Sequence, residues 1–501
     1  MSLEEIKSPL PPRKMTIAEV DEPSERIKVL EPVETPVEPT IQTPPDGKKK
    51  IDTKKIYLFG GIGLGIILIL SLVFGVIIPS LNKKNTEVVT INYWGLWEEG
   101  SLMNGIIADF ESKNPGIKVN YKMNQKTDYR SRLVGRLEKT NETEDVPDIY
   151  RIHSTWLPMF RSYLAPVPTE TVKNLELETD FFDTYKTTLK ENGKYLAIPL
   201  MYDGLALFYN KDLIESGQVE LPKSWWDLKS AANKLTVKDK DGKIQIAGVA
   251  MGLTDNVDQW SDILGLMMKQ NGVDPLSTDP AQIKKLQDVL TFYTMFRTGD
   301  HVWDESLPSS TQLFANGKLA FYFGPSWRVF NINELNPNLK YDITTVPQLP
   351  TLDNATQAQS SSDTQLTNIH WSNYWVEGIN NKSKHQKEAW KFLEYLASKE
   401  GLEKMYTTAS QTRDFGEIYP RKSLTDKIVG NSKIKAFVSV ANNATTWYLT
   451  SRTFDGGLDD AMIKYFGDAI NSLALKNQLM EDVLPTLQNG INQTKTTYQL
   501  K

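Results

Sequence analysis

At 501 residues the chain exceeds what one hydrophobic core usually organises, so more than one domain or lobe is expected. Its 40% hydrophobic content is ordinary for a globular protein, and a formal net charge of -5 supplies no basic field for a polyphosphate backbone, which argues against nucleic acid as a partner. Cysteine is absent, and with it disulfide frameworks, thiolate metal sites, thiol nucleophiles and lipid on a thiol.

Residues 1–50 hold nine prolines among mixed charges, a composition that buries too little apolar surface to offset its ordering entropy, and they read as a disordered cytoplasmic tail. Residues 51–80 read as a transmembrane helix with a basic flank. Its centre, residues 56–78 (IYLFGGIGLGIILILSLVFGVII), carries no charge and at about 1.5 Å per residue spans the roughly 30 Å core of a bilayer. Lys48, Lys49, Lys50, Lys54 and Lys55 precede it and only Lys83 and Lys84 follow closely, so the expected topology is N-terminus inside and the large part outside. The segment is long and begins beyond residue 50, unlike a cleaved signal peptide, and an uncleaved anchor is expected at the cell membrane. Residues 81–87 form a polar linker.

From residue 88 strands alternate with amphipathic helices. Residues 88–94 (VVTINYW) predict a strand, 101–113 a helix stopped by Asn114-Pro115-Gly116, and 117–121 (IKVNY) a second strand, together a βαβ unit. A helix is expected near 129–139, a buried strand at 148–152, and further alternation to about 380. Such a pattern implies parallel α/β sheets with ligands at the strand C-termini. Asn210-Lys211-Asp212 reads as a turn, and Ser224 as the cap of a helix that follows Pro222.

Five segments, in order, resemble the extracellular solute-binding proteins of the maltose-binding type. They are 91–121, ending FESKNPGIKVNY; Pro147-Asp148-Ile149 with Ser154-Thr155-Trp156; 193–217 (GKYLAIPLMYDGLALFYNKDLIESG) with Pro222-Lys223-Ser224-Trp225; 317–327 (GKLAFYFGPSW); and 388–406 (EAWKFLEYLASKEGLEKMY) with Pro420-Arg421-Lys422. The resemblance covers nearly all of residues 88–495. It implies a two-lobed α/β periplasmic-binding fold of type II, its first lobe about 88–199 and 350–400 and its second about 203–346 and 401–501. Crossings are expected near 199–203 and 346–350, and the lobes are expected to close over a ligand delivered to ABC permease subunits. The residues after His153 are Ser154-Thr155-Trp156, where the maltose-binding type would carry a charged pair, so that type's own sugar does not carry over.

All twelve tryptophans lie beyond the apolar segment, and flat rings stack on the apolar faces of sugars. The expected ligand is therefore a sugar or oligosaccharide. Trp97 and Glu98 follow the first strand; Trp156 follows the strand at 148–152; Asp203 follows the first crossing, where the family often has a carboxylate. Trp260 opens a helix, Trp327 and Arg328 follow Gly324-Pro325, and Trp371, Asn373 and Tyr374 precede a strand. Arg413 is a candidate for an acidic group. Trp225, Trp226, Trp375 and Trp390 fall on helix or strand patterns and are expected to pack.

No HExxH, Gly-x-Ser-x-Gly or P-loop pattern is present and the four histidines are scattered, so no metal, cofactor or enzymatic activity is expected. Two other readings stand beside solute capture: a membrane receptor signalling through its helix, and a cell-surface carbohydrate-active enzyme.

Overall fold

The computed structural model describes residues 88–139, 146–350 and 365–500. The described residues belong to one compact unit. The expected tail, membrane segment and linker lie outside the described residues. Among the residues that are described, no helix is long and apolar enough to cross a membrane.

The unit opens with β1 (Val89–Gly95), α1 (Gly100–Lys113) and β2 (Ile117–Met123). Helix α1 buries Met103, Ile106, Ile107 and Phe110, the i, i+3, i+4, i+7 stripe of one helical face. Its end is closed by Asn114, whose side-chain amide donates to the carbonyl of Phe110 at 2.8 Å. The chain continues through α2 (Tyr129–Leu137), β3 (Ile149–His153), β4 (Ile198–Pro199), β5 (Ala206–Asn210), α3 (Trp225–Leu235), β6 (Val237–Lys238) and β7 (Ile244–Val249). It then forms α4 (Trp260–Gln270), α5 (Pro280–Thr298), β8 (Leu319–Gly324), α6 (Arg328–Leu335), β9 (Tyr341–Thr344), β10 (His370–Trp371) and β11 (Trp375–Ile379). The remaining elements used below are α7 (Gln386–Leu396), α8 (Lys399–Ala409), β12 (Ala444–Thr445), α9 (Leu458–Ala474) and α10 (Met480–Tyr498). Ser224 caps α3 in a reciprocal box: its hydroxyl accepts from the Asp227 amide at 3.1 Å while the Asp227 carboxylate accepts from the Ser224 amide at 2.9 Å.

The strands form two separate five-stranded sheets. The first has the order β2-β1-β3-β11-β4 and the second β9-β5-β8-β7-β6. The expectation of parallel sheets holds only in part: β1 pairs in parallel with β2 and β3, and β8 with β7, whereas β11 runs antiparallel to β3 and β4, and β5 antiparallel to β8 and β9. β5 and β11 have just crossed from the other sheet, and a strand arriving across the divide need not follow a right-handed βαβ return; β6 also runs antiparallel to β7, to which a short turn joins it. Helices α1 and α7 cover the first sheet and α3 covers the second. Helix α9 packs on α4, α5 and α10 and also reaches Ser154–Trp156 at the end of β3.

The crossings are hydrogen-bonded to one another. After β4 the chain passes to the second sheet, and on the way Tyr202 bridges Ile418 and Gly204 bridges Ser372. After β9 it returns through β10, which pairs in parallel with β12. Gly204 is required where two crossings touch, because a Cβ there would stand 2.4 Å from the carbonyl oxygen of Trp371.

Candidate ligand-binding site

The C-terminal ends of β1, β3 and β8 lead into the segments that hold five of the eleven expected binding residues, and the loop before α9 joins them. At this junction a chain of polar contacts runs from one sheet's elements to the other's. Nδ1 of His153, the last residue of β3, lies 2.7 Å from the Thr155 hydroxyl and Nε2 lies 3.0 Å from Oδ1 of Asn373. The Thr155 hydroxyl in turn donates to Asp459 in the first turn of α9. On the other side Asp262, in the first turn of α4, accepts from the Trp371 indole at 2.8 Å, from the Asn373 amide at 3.5 Å and from the Ser451 backbone at 3.3 Å.

Burial sets the protonation of this chain. It depresses the His153 imidazole to about 3 against the opposing Asn373 bond, so the ring is neutral. It raises Asp262 to about 6, although the Ser451 and Trp371 donors pull the other way, and it raises Asp459 well above the usual carboxylate range, helped by the Asp455 charge. Asp203 is raised to about 7, again by burial, while its Oδ1 accepts from the backbone amides of Gly204 at 2.8 Å and Ser326 at 3.0 Å. Asp203 thus ties the first crossing to the loop ahead of α6.

The expected site residues divide by surroundings. Trp97, Asp203, Trp260, Trp327 and Asn373 are half-buried and retain faces or atoms for a ligand. Arg328 is buried at the start of α6, its guanidinium 4.5 Å from the Trp327 ring centroid. Glu98 is enclosed: Nη1 of Arg151 donates to both its oxygens, at 2.5 and 2.6 Å. Trp156 is 1% exposed and is enclosed by Tyr129, Phe160 and Trp375. Trp371 is equally buried, its ring lying over Gly265 of α4. Tyr374 is fully buried, its hydroxyl bonded to Thr188 and its ring edge-on to Tyr185. For these four the surroundings are core, because each already has its polar atoms engaged or its ring enclosed on both faces. Arg413 pairs with Glu417 at 2.8 Å, four residues on in the loop beyond α8. Of the four tryptophans expected to pack, Trp225, Trp375 and Trp390 are buried, but Trp226 is 52% exposed with only its edge on Phe292, since adjacent helical positions face about 100° apart.

Sequence reasoning passed over several residues now at this junction: Lys126, Asp258, Gln259, Asp262, Ser451 and Phe454. Lys126, just beyond β2, lies 4.9 Å from the Trp375 ring centroid and 5.4 Å from that of Phe454. Arg452, in the loop before α9, reaches Asp258 through its guanidinium at 2.8 Å. The available signal was the loop Arg452-Thr453-Phe454-Asp455-Gly456-Gly457, unusually varied for a plain connection, and two of its non-glycine residues, Arg452 and Phe454, adopt left-handed φ of 61° and 53°. No cluster of metal-ligating side chains is present among the described residues.

Two α/β lobes, hydrogen-bonded crossings between them and a junction lined from both sides define the class of two-lobed ligand-binding proteins. Residues 94–403 match the family model of the bacterial extracellular solute-binding proteins, and the chain belongs to that family. A multiple sugar-binding protein of Streptococcus mutans serotype c is 24% identical over 370 residues, which is 70% of this chain and 80% of the relative. A binding protein of Brucella abortus is 24% identical over 350 residues, 69% of this chain and 79% of the relative. Among solved structures, a cyclo/maltodextrin-binding protein in complex with maltotetraose superposes with a TM-score of 0.62 at 17% identity, covering 81% of this chain and 97% of that one, which establishes the two-lobed fold.

Proposed function

We propose that the protein is the solute-capturing subunit of an ABC importer for sugars, binding without turnover. The observation that carries this reading is the junction of the two lobes, where half-buried Trp97, Trp260 and Trp327 accompany hydrogen-bonding groups from both sheets. Family membership supports the solute-binding role, and the sugar-binding relative and the maltotetraose-bound neighbour support the ligand class. In this reading the solute enters between the lobes, contacts from both sides favour the closed state, and the closed form docks on the permease. Residues 56–78 anchor the chain with its binding unit outside, and the tether raises its effective concentration near the permease.

Thermal unfolding of the full chain in detergent against mono- and oligosaccharides tests the ligand class. A solute at about 100 times its dissociation constant adds roughly 2.7 kcal/mol of stability and raises Tm. A Tm that no sugar moves, but that peptides or polyamines do, would keep the fold and overturn the substrate. The anchor is tested separately: the protein should stay with membranes through alkaline extraction and be cut by protease added outside intact cells.

A further inference from the structure

Beside the junction lies a cavity of about 680 Å³ whose lining includes Asp258, Thr311, Gln312, Arg328, Asn331 and Arg452. Its charged groups are arranged unevenly. Oδ2 of Asp258 is saturated by the Thr311 amide at 2.9 Å, the Thr311 hydroxyl at 2.6 Å and the Ser310 hydroxyl at 3.1 Å. That leaves Oδ1 to face two guanidiniums, Arg452 at 2.8 Å and Arg328 at 3.6 Å. Two cations thus share one carboxylate oxygen, and each guanidinium carries five donors.

Arg328 is 6% exposed, yet its remaining contacts are long: Nη1 to Asn331 at 3.4 Å and Nη2 to Gln259 at 3.3 Å. Its Nε is buried with no hydrogen-bond partner. A buried donor left unmade is costly unless a ligand completes it. Arg452 is held toward Asp258 from a left-handed backbone conformation that arginine seldom adopts, a strain of the kind found at ligand sites. Lys126 adds a third cation: it forms no ion pair among the described residues and lies between two aromatic rings, close enough to Arg452 to feel its charge. Glu334, on the cavity rim, is exposed and pairs with neither arginine.

We infer that the solute is an acidic oligosaccharide, whose carboxylate, sulfate or phosphate is held between Arg328 and Arg452 with Lys126 adding its charge, while Trp327 offers its ring to the sugar. The inference rests on the solute-binding reading and narrows it. Planar guanidiniums grip such anions through paired donors, which a neutral hydroxyl cannot match.

Titration calorimetry on the full chain in detergent tests it with four probes: trigalacturonate, its neutral counterpart galactotriose, a sulfated disaccharide and a phosphorylated one. At least one acidic probe should bind ten-fold or more tightly than galactotriose, with an affinity that falls as salt rises, and which probe wins identifies the acidic group. Arg452→Gln and Lys126→Gln, both at partly exposed positions where the substitution leaves the packed core untouched, should bring the ratio of acidic to neutral affinity toward one. Neutral binding as tight as acidic, or a preference that survives both substitutions, overturns the inference and leaves the importer reading standing. Binding of none of these, with circular dichroism showing a folded chain and another class of solute raising Tm, overturns both.

Discussion

Arg151 shows how much electrostatic organisation lies beneath the junction. Its Nε donates to Glu377 at 2.6 Å and Nη1 holds Glu98, all three out of reach of solvent, while the ring centroid of half-buried Trp97 lies 4.7 Å from the guanidinium carbon. Removing one partner of a buried pair strands the other, so Arg151→Ala should cost about 3–5 kcal/mol, read from urea unfolding. A loss below about 1 kcal/mol would mean that water reaches the two glutamates. Asp203 gives a second residue-scale test. Its carboxyl is raised from 3.8 to about 7, so the folded state holds the proton more tightly than the unfolded chain. Its contribution is fully favourable below 3.8 and is lost as pH rises through 7. Asp203→Asn keeps an oxygen for the Ser326 and Gly204 amides and should flatten the fall in Tm between pH 5 and pH 8. At this scale the sequence was least legible: Glu98 lies 53 residues from its arginine and Trp371 lies 109 from Asp262, and no local pattern announces such partners. The positions of Asp203 and the Trp327-Arg328 pair were legible because each directly follows a recognisable crossing or strand.

Among the elements, α4 carries the sharpest constraint. Gly265 sits in mid-helix, where alanine would ordinarily gain about 1 kcal/mol, but its Cβ would stand 2.4 Å from Cη2 of the buried Trp371. Gly265→Ala should therefore destabilise by about 1–3 kcal/mol, the cost of overpacking. A stabilised variant in chemical denaturation would show that the indole can move aside. Strands and helices near the start were legible because β1 and α1 bury their faces with the periods of two and 3.6 that the residues display. The direction of β11 was not, since VEGI reads the same whichever way it enters a sheet, and only its pairing with β3 decides.

For the molecule as a whole, the two sheets are joined by crossings that bond to each other, at Tyr202 with Ile418 and at Gly204 with Ser372. A hinge of this kind concentrates motion in a few backbone torsions and leaves the lobes rigid. Addition of a bound solute should reduce the radius of gyration in small-angle scattering, and an unchanged profile at saturation would rule out closure between open and closed lobes. The two-lobed plan was legible because five family-like segments occur in order, and their spacing brackets both crossings.

The same crossings have a consequence for synthesis. The first sheet cannot be finished by the N-terminal part of the chain, because β11 lies between β3 and β4 in the sheet, and Arg151 and its partner Glu377 are 226 residues apart. At about 5–20 residues per second, a ribosome needs roughly 11–45 s to make the second after the first. Throughout that interval β3 has an open hydrogen-bonding edge and a buried-type arginine with only one of its two carboxylates, Glu98, available. The emerging chain must be shielded for nearly half of its translation, and the amount of folded protein in the cell should depend on whatever holds that edge apart from others like it.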